Sequence, residues 1–327
     1  MDHPSDDERA LSYRWDLDHN RLKPGKDYVL NVGGGKTIWE RGDAAEERLF
    51  DRVEEDVFSR DTYRAFMQLL DNYDRRRSAA AMPCSPPRLP PPLSPGRPSP
   101  GWLPAHTPLT ASSRSSRSTS VEDRLTPHEV EESYAFLNEC LEEPVGQYLW
   151  KYLQAKQKAP KSSRAFAQQI FKVWFKSFGR GEAKGASSGF EHVFLGEEDT
   201  TPDGRITIAG FHNWIQFYFE ERCNHLDYRG YILPKRRGRR PDEPPDGTEH
   251  FLSVQFEWEG ETKPVSGMFV GVSPEFELAL YTLLYYEGGD NNKLHLGDVD
   301  VNLRVYRLDR IGCISSAFPE AADSLDA

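Results

Sequence analysis

The apolar pattern of this chain changes period part-way along, and that change restricts the fold more than any other feature. Up to about residue 184 apolar residues recur at three- and four-residue intervals; from about residue 185 they alternate. In SRDTYRAFMQLLDNY, Tyr63, Phe66, Leu69 and Leu70 fall on one stripe, with Asp61 placed as a cap. ERLFDRVEEDVF also puts Leu49, Phe50, Val53 and Val57 at helical spacing. TPHE, Thr126 to Glu129, is a capping box for a helix with Tyr134, Leu137, Cys140 and Leu141 inward. Pro144 interrupts that helix and VGQYLWKYLQAK resumes it. SSRAFAQQIFKVWFKSF is a further helix with Phe166, Ile170, Phe171 and Trp174 on its core side. GRITIAG, HFLSVQFEW, GMFVGV and VDVNLRVYRL then alternate as strands. Two helices sit among them. HNWIQFYFEER carries Trp214, Ile215, Tyr218 and Phe219 in register; SPEFELALYTLLYY opens with Ser273 as N-cap and Pro274 at the first helical position. Strands at this spacing, with few crossover helices, predict an α+β lobe with antiparallel sheets.

A second break divides the helical part. Residues 79–122 are rich in Pro and then in Ser and Arg (MPCSPPRLPPPLSPGRPSPGWLPAHTP, then ASSRSSRSTS). Such a stretch cannot bury enough apolar surface to offset the entropy of ordering, so a disordered insert is expected. It reads foremost as a spacer, with its PxxP turns as a weaker dock for an SH3- or WW-type partner. The expected organisation is therefore helical at 9–78, insert at 79–122, helical again at 123–184, and a β-rich lobe at 185–320. A formal net charge of −11 argues weakly against a nucleic-acid partner, although a small cleft can be locally positive. The polar, acidic start MDHPSDDERALSYRWD has no apolar core of a secretory signal, and no stretch approaches the length of a membrane-spanning helix. The four cysteines lie far apart with no CxxC pair, so free thiols are expected. The expected compartment is the cytoplasm, with the nucleus left open by the basic run KRRGRR (Lys235 to Arg240). Followed by PDEPPDG, that run reads first as a solvated loop and second as a phosphate contact.

Two histidines stand out. His192 lies in SSGFEHVFLGE, between Glu191 and Val193 with Glu197 five residues on, after a Gly- and Ser-rich approach that reads as an exposed loop. His212, in GFHNWIQFY, sits just ahead of a helix, where amide groups and the helix dipole favour an anion and a lowered imidazole pKa. Lys263 lies in ETKP, read as a short turn. Taken singly, each has an ordinary structural or surface role. Together, two imidazoles and an ammonium are the set that cleaves RNA through its own 2′-hydroxyl: one base, one acid, and a cation for charge at phosphorus. The same Glu191, His192, Glu197 and His212 could instead bind a metal, though without HExxH spacing or a tight His/Asp cluster.

The chain resembles the EndoU family of uridylate-preferring endoribonucleases. The resemblance covers most of the sequence outside the insert. It begins at RWDLDHNRLKPGKDYVLNVG and TYRAFMQLLDNY and is densest in SSGFEHVFLGE, GFHNWIQFYFEE, LDYRGY and GVSPEFELALYT. It implies catalytic roles for His192, His212 and Lys263 and supporting or ion-associated roles for Glu191 and Glu197. It also implies an EndoU-like α+β fold with a helical N-terminal lobe packed on a catalytic lobe of antiparallel β-sheets, single-stranded uridine-containing RNA as substrate, and products ending in 2′,3′-cyclic phosphate and 5′-hydroxyl. A divalent cation is implied as cofactor, manganese first and calcium second, and a monomer is expected. Members end the domain on a threonine–x–tyrosine–proline pattern; here SSAFP puts Ser316 and Phe318 in those places, so the phenol is lost. Ser266 and Ser316 are candidates for uracil contacts and Phe318 for base stacking. Two other readings stay open: an RNA-binding module with weak or no catalysis, and a metal-dependent phosphoesterase.

Overall fold

The computed structural model describes residues 15–72, 125–179, 186–201, 203–233, 245–297 and 299–321. Three short strands come first: β1 (Tyr28–Leu30), β2 (Gly35–Lys36) and β3 (Phe50–Val53). A 3-10 turn at Glu55–Ser59 leads into α1 (Asp61–Asn72). Helices α2 (Pro127–Glu142), α3 (Pro144–Ala155) and α4 (Ser163–Phe175) follow, then the paired strands β4 (Phe178–Gly179) and β5 (Ala186–Ser187). A π-helical turn at Glu191–Leu195 precedes the hairpin of β6 (Glu197–Thr200) and β7 (Ile206–Ala209), and α5 (Trp214–Arg222) comes next. The remainder is β8 (Leu226–Ile232), β9 (Phe251–Trp258), β10 (Glu261–Phe269), α6 (Pro274–Glu287), β11 (Asn291–Leu296), β12 (Val299–Leu308) and β13 (Cys313–Ala321). One sheet has the order β10-β9-β8-β2 and another β11-β12-β13; these pairings are antiparallel except β2 with β8. The fold is α+β, as the change of period implies.

Local chemistry explains most helix starts. Thr126 and Glu129 form the reciprocal capping box of α2. Pro144 starts α3 where its missing N–H costs nothing, and Gly146 lets α3 approach α2: a Cβ there would lie 1.9 Å from the Cys140 carbonyl oxygen. Ser162 caps α4, and Ser273 accepts from Phe276 N at 3.1 Å to cap α6. Tyr63, Phe66, Leu69 and Leu70 are buried along α1.

Helix α6 lies between strands in sequence yet is buried on every face from Pro274 to Leu284. Trp174 of α4 donates its indole N–H to Thr282 Oγ1 at 2.8 Å, so the helical layer is completed by a segment from the C-terminal half. Burial extends to acids. Asn213 donates to Glu277 Oε2 at 2.7 Å, and desolvation still holds the Glu277 carboxyl up at about 8 from an ordinary 4.5. Burial pushes Asp18 and Glu275 the same way, and the Asp18 charge adds to the rise at Glu275. Between about pH 4.5 and 8 the folded chain therefore binds more protons at Glu277 than the unfolded chain, so this contribution to stability is lost as pH rises through that window. The Tm is expected to fall between about pH 5.5 and 8, and Glu277→Gln to flatten the slope; a Tm that climbs over this range in the parent chain would contradict the assignment.

Four expectations need correction. ERLFDRVEEDVF is not a helix: Phe50–Val53 is β3, paired with β1, and Leu49 and Phe50 donate their amides to the Glu221 carboxylate. Phe50 and Val53 are buried while Asp51 and Arg52 are exposed, a spacing that helix and short strand share. Lys263 is not in a turn. The turn is Glu259–Gly260, both at positive φ, and Lys263 stands in β10 opposite Phe256, with the ladder shifting register between Lys263 and Ser266, where Pro264 has no N–H to give. His192 is not in an exposed loop: it is mostly buried in the π-helical turn. Finally, Cys140 and Cys313 are buried free thiols, but Cys223 is disulfide-bonded; wide sequence spacing excludes only local pairs. The 79–122 insert and the KRRGRR run lie outside the described residues. No helix among the described residues is long and apolar enough to cross a membrane.

Candidate active site

The site is built around the β6–β7 hairpin. Ahead of it, the chain winds into a π-helical turn in which Gly196 N donates to Glu191 O at 3.0 Å; Gly196 then leaves at φ 82. Such turns concentrate at functional sites because they redirect one side chain out of helical register. Here that side chain is His192, with Nδ1 2.6 Å from Glu197 Oε1 on β6. The carboxylate fixes the Nδ1 proton and favours positive charge on the ring, so proton exchange falls to Nε2. Glu191 serves the backbone instead. Its carboxylate accepts from Ser188 N at 3.2 Å while its own amide donates to Ser188 Oγ at 3.1 Å, pinning the start of the turn.

Beyond β7, Gly210 and Phe211 both adopt positive φ, 64° and 67°. This bend returns the chain against the π-turn: Phe211 N donates to His192 O at 2.9 Å and His212 N to Val193 O at 2.8 Å. The two histidines are thus joined through their backbones. The Phe211 ring is buried against Phe256 and Trp258, which offsets the cost of a bulky residue in the left-handed region. His212 is followed by Asn213, whose side chain caps α5 through Ile215 N and Gln216 N.

His212 is buried and its Nδ1 faces Gly267 O at 3.0 Å and Ser266 Oγ at 2.9 Å. Because Gly267 O can only accept, Nδ1 carries the proton. Ser266 Oγ then donates to Phe211 O at 2.7 Å and accepts from the imidazole. Nε2 is left with its lone pair. Desolvation first, then the charges of Lys263 and His192, hold this imidazole well below its usual 6.5, against a smaller opposing effect of the Gly267 bond. The expected lowering is present, with burial as its largest cause. Lys263 donates from Nζ to Ile208 O at 2.9 Å on β7, and burial pushes its ammonium down to about 8.

The candidate substrate residues are placed unequally. Ser266 is buried and engaged by His212 and Phe211, a positioning arrangement rather than an open uracil contact. Phe318 stacks on the His212 ring at 4.5 Å and 15°, so one of its faces is already occupied. Ser316, opposite Tyr306 in the β12–β13 ladder, shares that strand face two residues away. Residue patterns alone miss the Gly267 and Ile208 carbonyls and the Gly210–Phe211 bend. Carbonyls carry no side-chain signature, and the cue to the bend is a single glycine between a strand pattern and a helix pattern.

An ion held by Glu191 and Glu197 does not fit well. Glu197 is engaged by the His192 ring and Glu191 by the Ser188 amide. Among the described residues, the group of three His, Cys, Asp or Glu ligand atoms close enough for one ion lies elsewhere, at Glu220, His225 and Glu259.

Fold and site together define an α+β protein with a carboxylate-backed imidazole, a second imidazole of fixed tautomer and a half-buried lysine ammonium gathered around one hairpin. The chain belongs to the Endoribonuclease XendoU family, whose sequence profile matches residues 8–82 and 115–319 and skips the centre of the Pro/Ser-rich insert. It is 33% identical over 306 residues to uridylate-specific endoribonuclease B of Danio rerio, covering 91% of this chain and 90% of that one. It is 34% identical over 278 residues to the poly(U)-specific endoribonuclease of Xenopus tropicalis, covering 83% and 78%. The solved structure of XendoU, a splicing independent snoRNA processing endoribonuclease, matches with a TM-score of 0.71 at 29% identity over 98% of this chain and 97% of that one.

Proposed function

We propose that this protein is an endoribonuclease that cuts single-stranded RNA 3′ of uridines by attack of the 2′-hydroxyl, leaving a 2′,3′-cyclic phosphate and a 5′-hydroxyl. The observation that carries this reading is the contrast between the two imidazoles. His212 is held neutral with Nδ1 tied to Gly267 and Nε2 available, the state a base requires. His192 is backed by the Glu197 carboxylate, the arrangement that stabilises an imidazolium acid. In the reaction His212 Nε2 takes the 2′-hydroxyl proton as that oxygen bonds to phosphorus. The bond from phosphorus to the 5′-oxygen breaks, and His192 delivers the proton that oxygen needs. Lys263, still charged below about pH 8, stabilises the extra charge on the phosphoryl oxygens. Preference for uridine comes to this chain from the activities its relatives are named for, and the exposed part of Phe318 beside Ser316 is the surface assigned to the base.

The test is a short RNA with a single uridine, read by product mass. A cyclic phosphate on the uridine is expected, and no cut when that uridine carries 2′-deoxyribose. Cleavage of the 2′-deoxy substrate, or a linear monophosphate with complete loss of activity in a chelator, would replace this mechanism with metal-activated water. RNA bound tightly but left intact would make the protein a binding module.

A further inference from the structure

Three side chains outside the histidine site converge where α5 ends. Glu220 lies in the last turn of α5, His225 just past its C-cap Cys223, and Glu259 at the tip of the β9–β10 hairpin. One ligand atom from each, two carboxylate oxygens and an imidazole nitrogen, lies within 4.8 Å of the other two. His225 Nδ1 is 3.3 Å from Glu220 Oε2. That is the separation of two ligands in a tetrahedron with bonds of about 2.0–2.1 Å.

The surroundings orient these groups. Trp258 Nε1 donates to Glu220 Oε2 at 2.9 Å, and Gln216 Nε2 reaches Glu220 Oε1 at 3.4 Å, the kind of outer bond that fixes a ligating carboxylate. Backbone bonds join the three positions: His225 N donates to Glu220 O at 3.0 Å and Glu259 N to His225 O at 3.3 Å. Glu259 takes the first central position of its two-residue turn at φ 53, where Asn, Asp or Gly is preferred. Turn chemistry does not call for glutamate there, and its carboxylate lies within 4.8 Å of the His225 and Glu220 ligand atoms.

We infer that Glu220, His225 and Glu259 bind a divalent transition-metal ion, Zn2+ or Mn2+, at a site separate from the histidine pair. One nitrogen and two carboxylate oxygens suit an ion of borderline softness, with Zn2+ bound more tightly than Mn2+. Ca2+ would need six to eight oxygens, which this set does not supply. The ion would staple α5, which begins directly after His212 and Asn213, to the hairpin whose second strand carries Lys263 and Ser266. The inference does not depend on the endoribonuclease reading, because its test reads binding and not cleavage.

Mn2+ titrated into the full chain and followed by electron paramagnetic resonance separates free from bound ion. A bound Mn2+ displaced by equimolar Zn2+ but not by equimolar Ca2+ is expected. His225→Gln and Glu259→Gln should each weaken binding by at least about tenfold, and Glu197→Gln should leave it unchanged. Glu259 is an exposed turn residue, so its variant is expected to fold, and the rise in Tm that Zn2+ gives the parent chain should be absent from it. Binding that survives both substitutions overturns the site. So does binding abolished by Glu197→Gln, which would put the ion beside His192. A chain that binds neither Mn2+ nor Zn2+ overturns it as well.

Discussion

His212→Ala is expected to slow cleavage of a uridine-containing RNA by about 10²–10⁴-fold, the range that a positioned base contributes. The size follows from how completely the structure prepares this ring. Its tautomer is set by a carbonyl that cannot donate, its Nδ1 is shared with Ser266, and Phe318 covers one face. Burial and two neighbouring cations hold it well below 6.5, so it is already neutral at pH 7 and no part of the population is lost to protonation. The parent rate should therefore stay level on the acid side of neutrality as far as His212 governs it. It should decline above about pH 8 as Lys263 loses its proton. Lys263→Ala separates the two residues: a lower rate is expected, with the part of the alkaline decline near pH 8 that Lys263 contributes removed. A folded His212→Ala protein that keeps more than about a tenth of the parent rate would remove His212 from the base role, whatever its geometry.

How much of this is legible in sequence depends on what kind of information each feature carries. Caps are legible because they are local: Thr126, Ser162 and Ser273 bond to amides three residues away. The stripe of α1 is legible because one face is buried and the other is not. β3 resists reading because Phe50 and Val53, both buried with exposed residues between them, fit a helix face as well as a short strand. The partner that decides the matter, Glu221, is 171 residues from Phe50. Strands β1 and β2, three and two residues long, lack the length that makes alternation readable. At the site, the side chains that do the chemistry can be picked out by type, but not their settings. Ser266 has the chemistry of a substrate contact, yet its hydroxyl is spent between His212 and Phe211. Lys263 has turn-like neighbours, yet Glu259–Gly260 makes the turn. The acceptors that fix His212 and Lys263, Gly267 O and Ile208 O, are main-chain atoms that residue identity does not encode.

Gly210→Ala is expected to damage both histidines at once. A Cβ at Gly210 would lie 1.8 Å from His192 O, 2.7 Å from His192 C and 3.0 Å from its ring Cγ. The nearest obstacle is backbone, and it is the same carbonyl that accepts from Phe211 N, so it cannot retreat without breaking the bond that joins the two histidine segments. Relief requires the bend at 210–211 to move away from the π-turn. A displacement of about 1 Å in an active site can cost about 10²-fold in rate, and a loss of at least that order is expected here together with a marked fall in Tm. Positive φ alone does not explain such a loss, and Gly204 makes the distinction measurable. It has φ 82 in the turn between β6 and β7 but nothing within 4 Å of an added Cβ. Gly204→Ala should therefore cost only about 1–2 kcal/mol of backbone strain and leave the rate near that of the parent. If the two alanines lower activity equally, the close approach at Gly210 is not what holds the catalytic pair together. If only Gly210→Ala does so, the contact between the bend and the His192 carbonyl is part of the catalytic apparatus, although it contains no group that titrates.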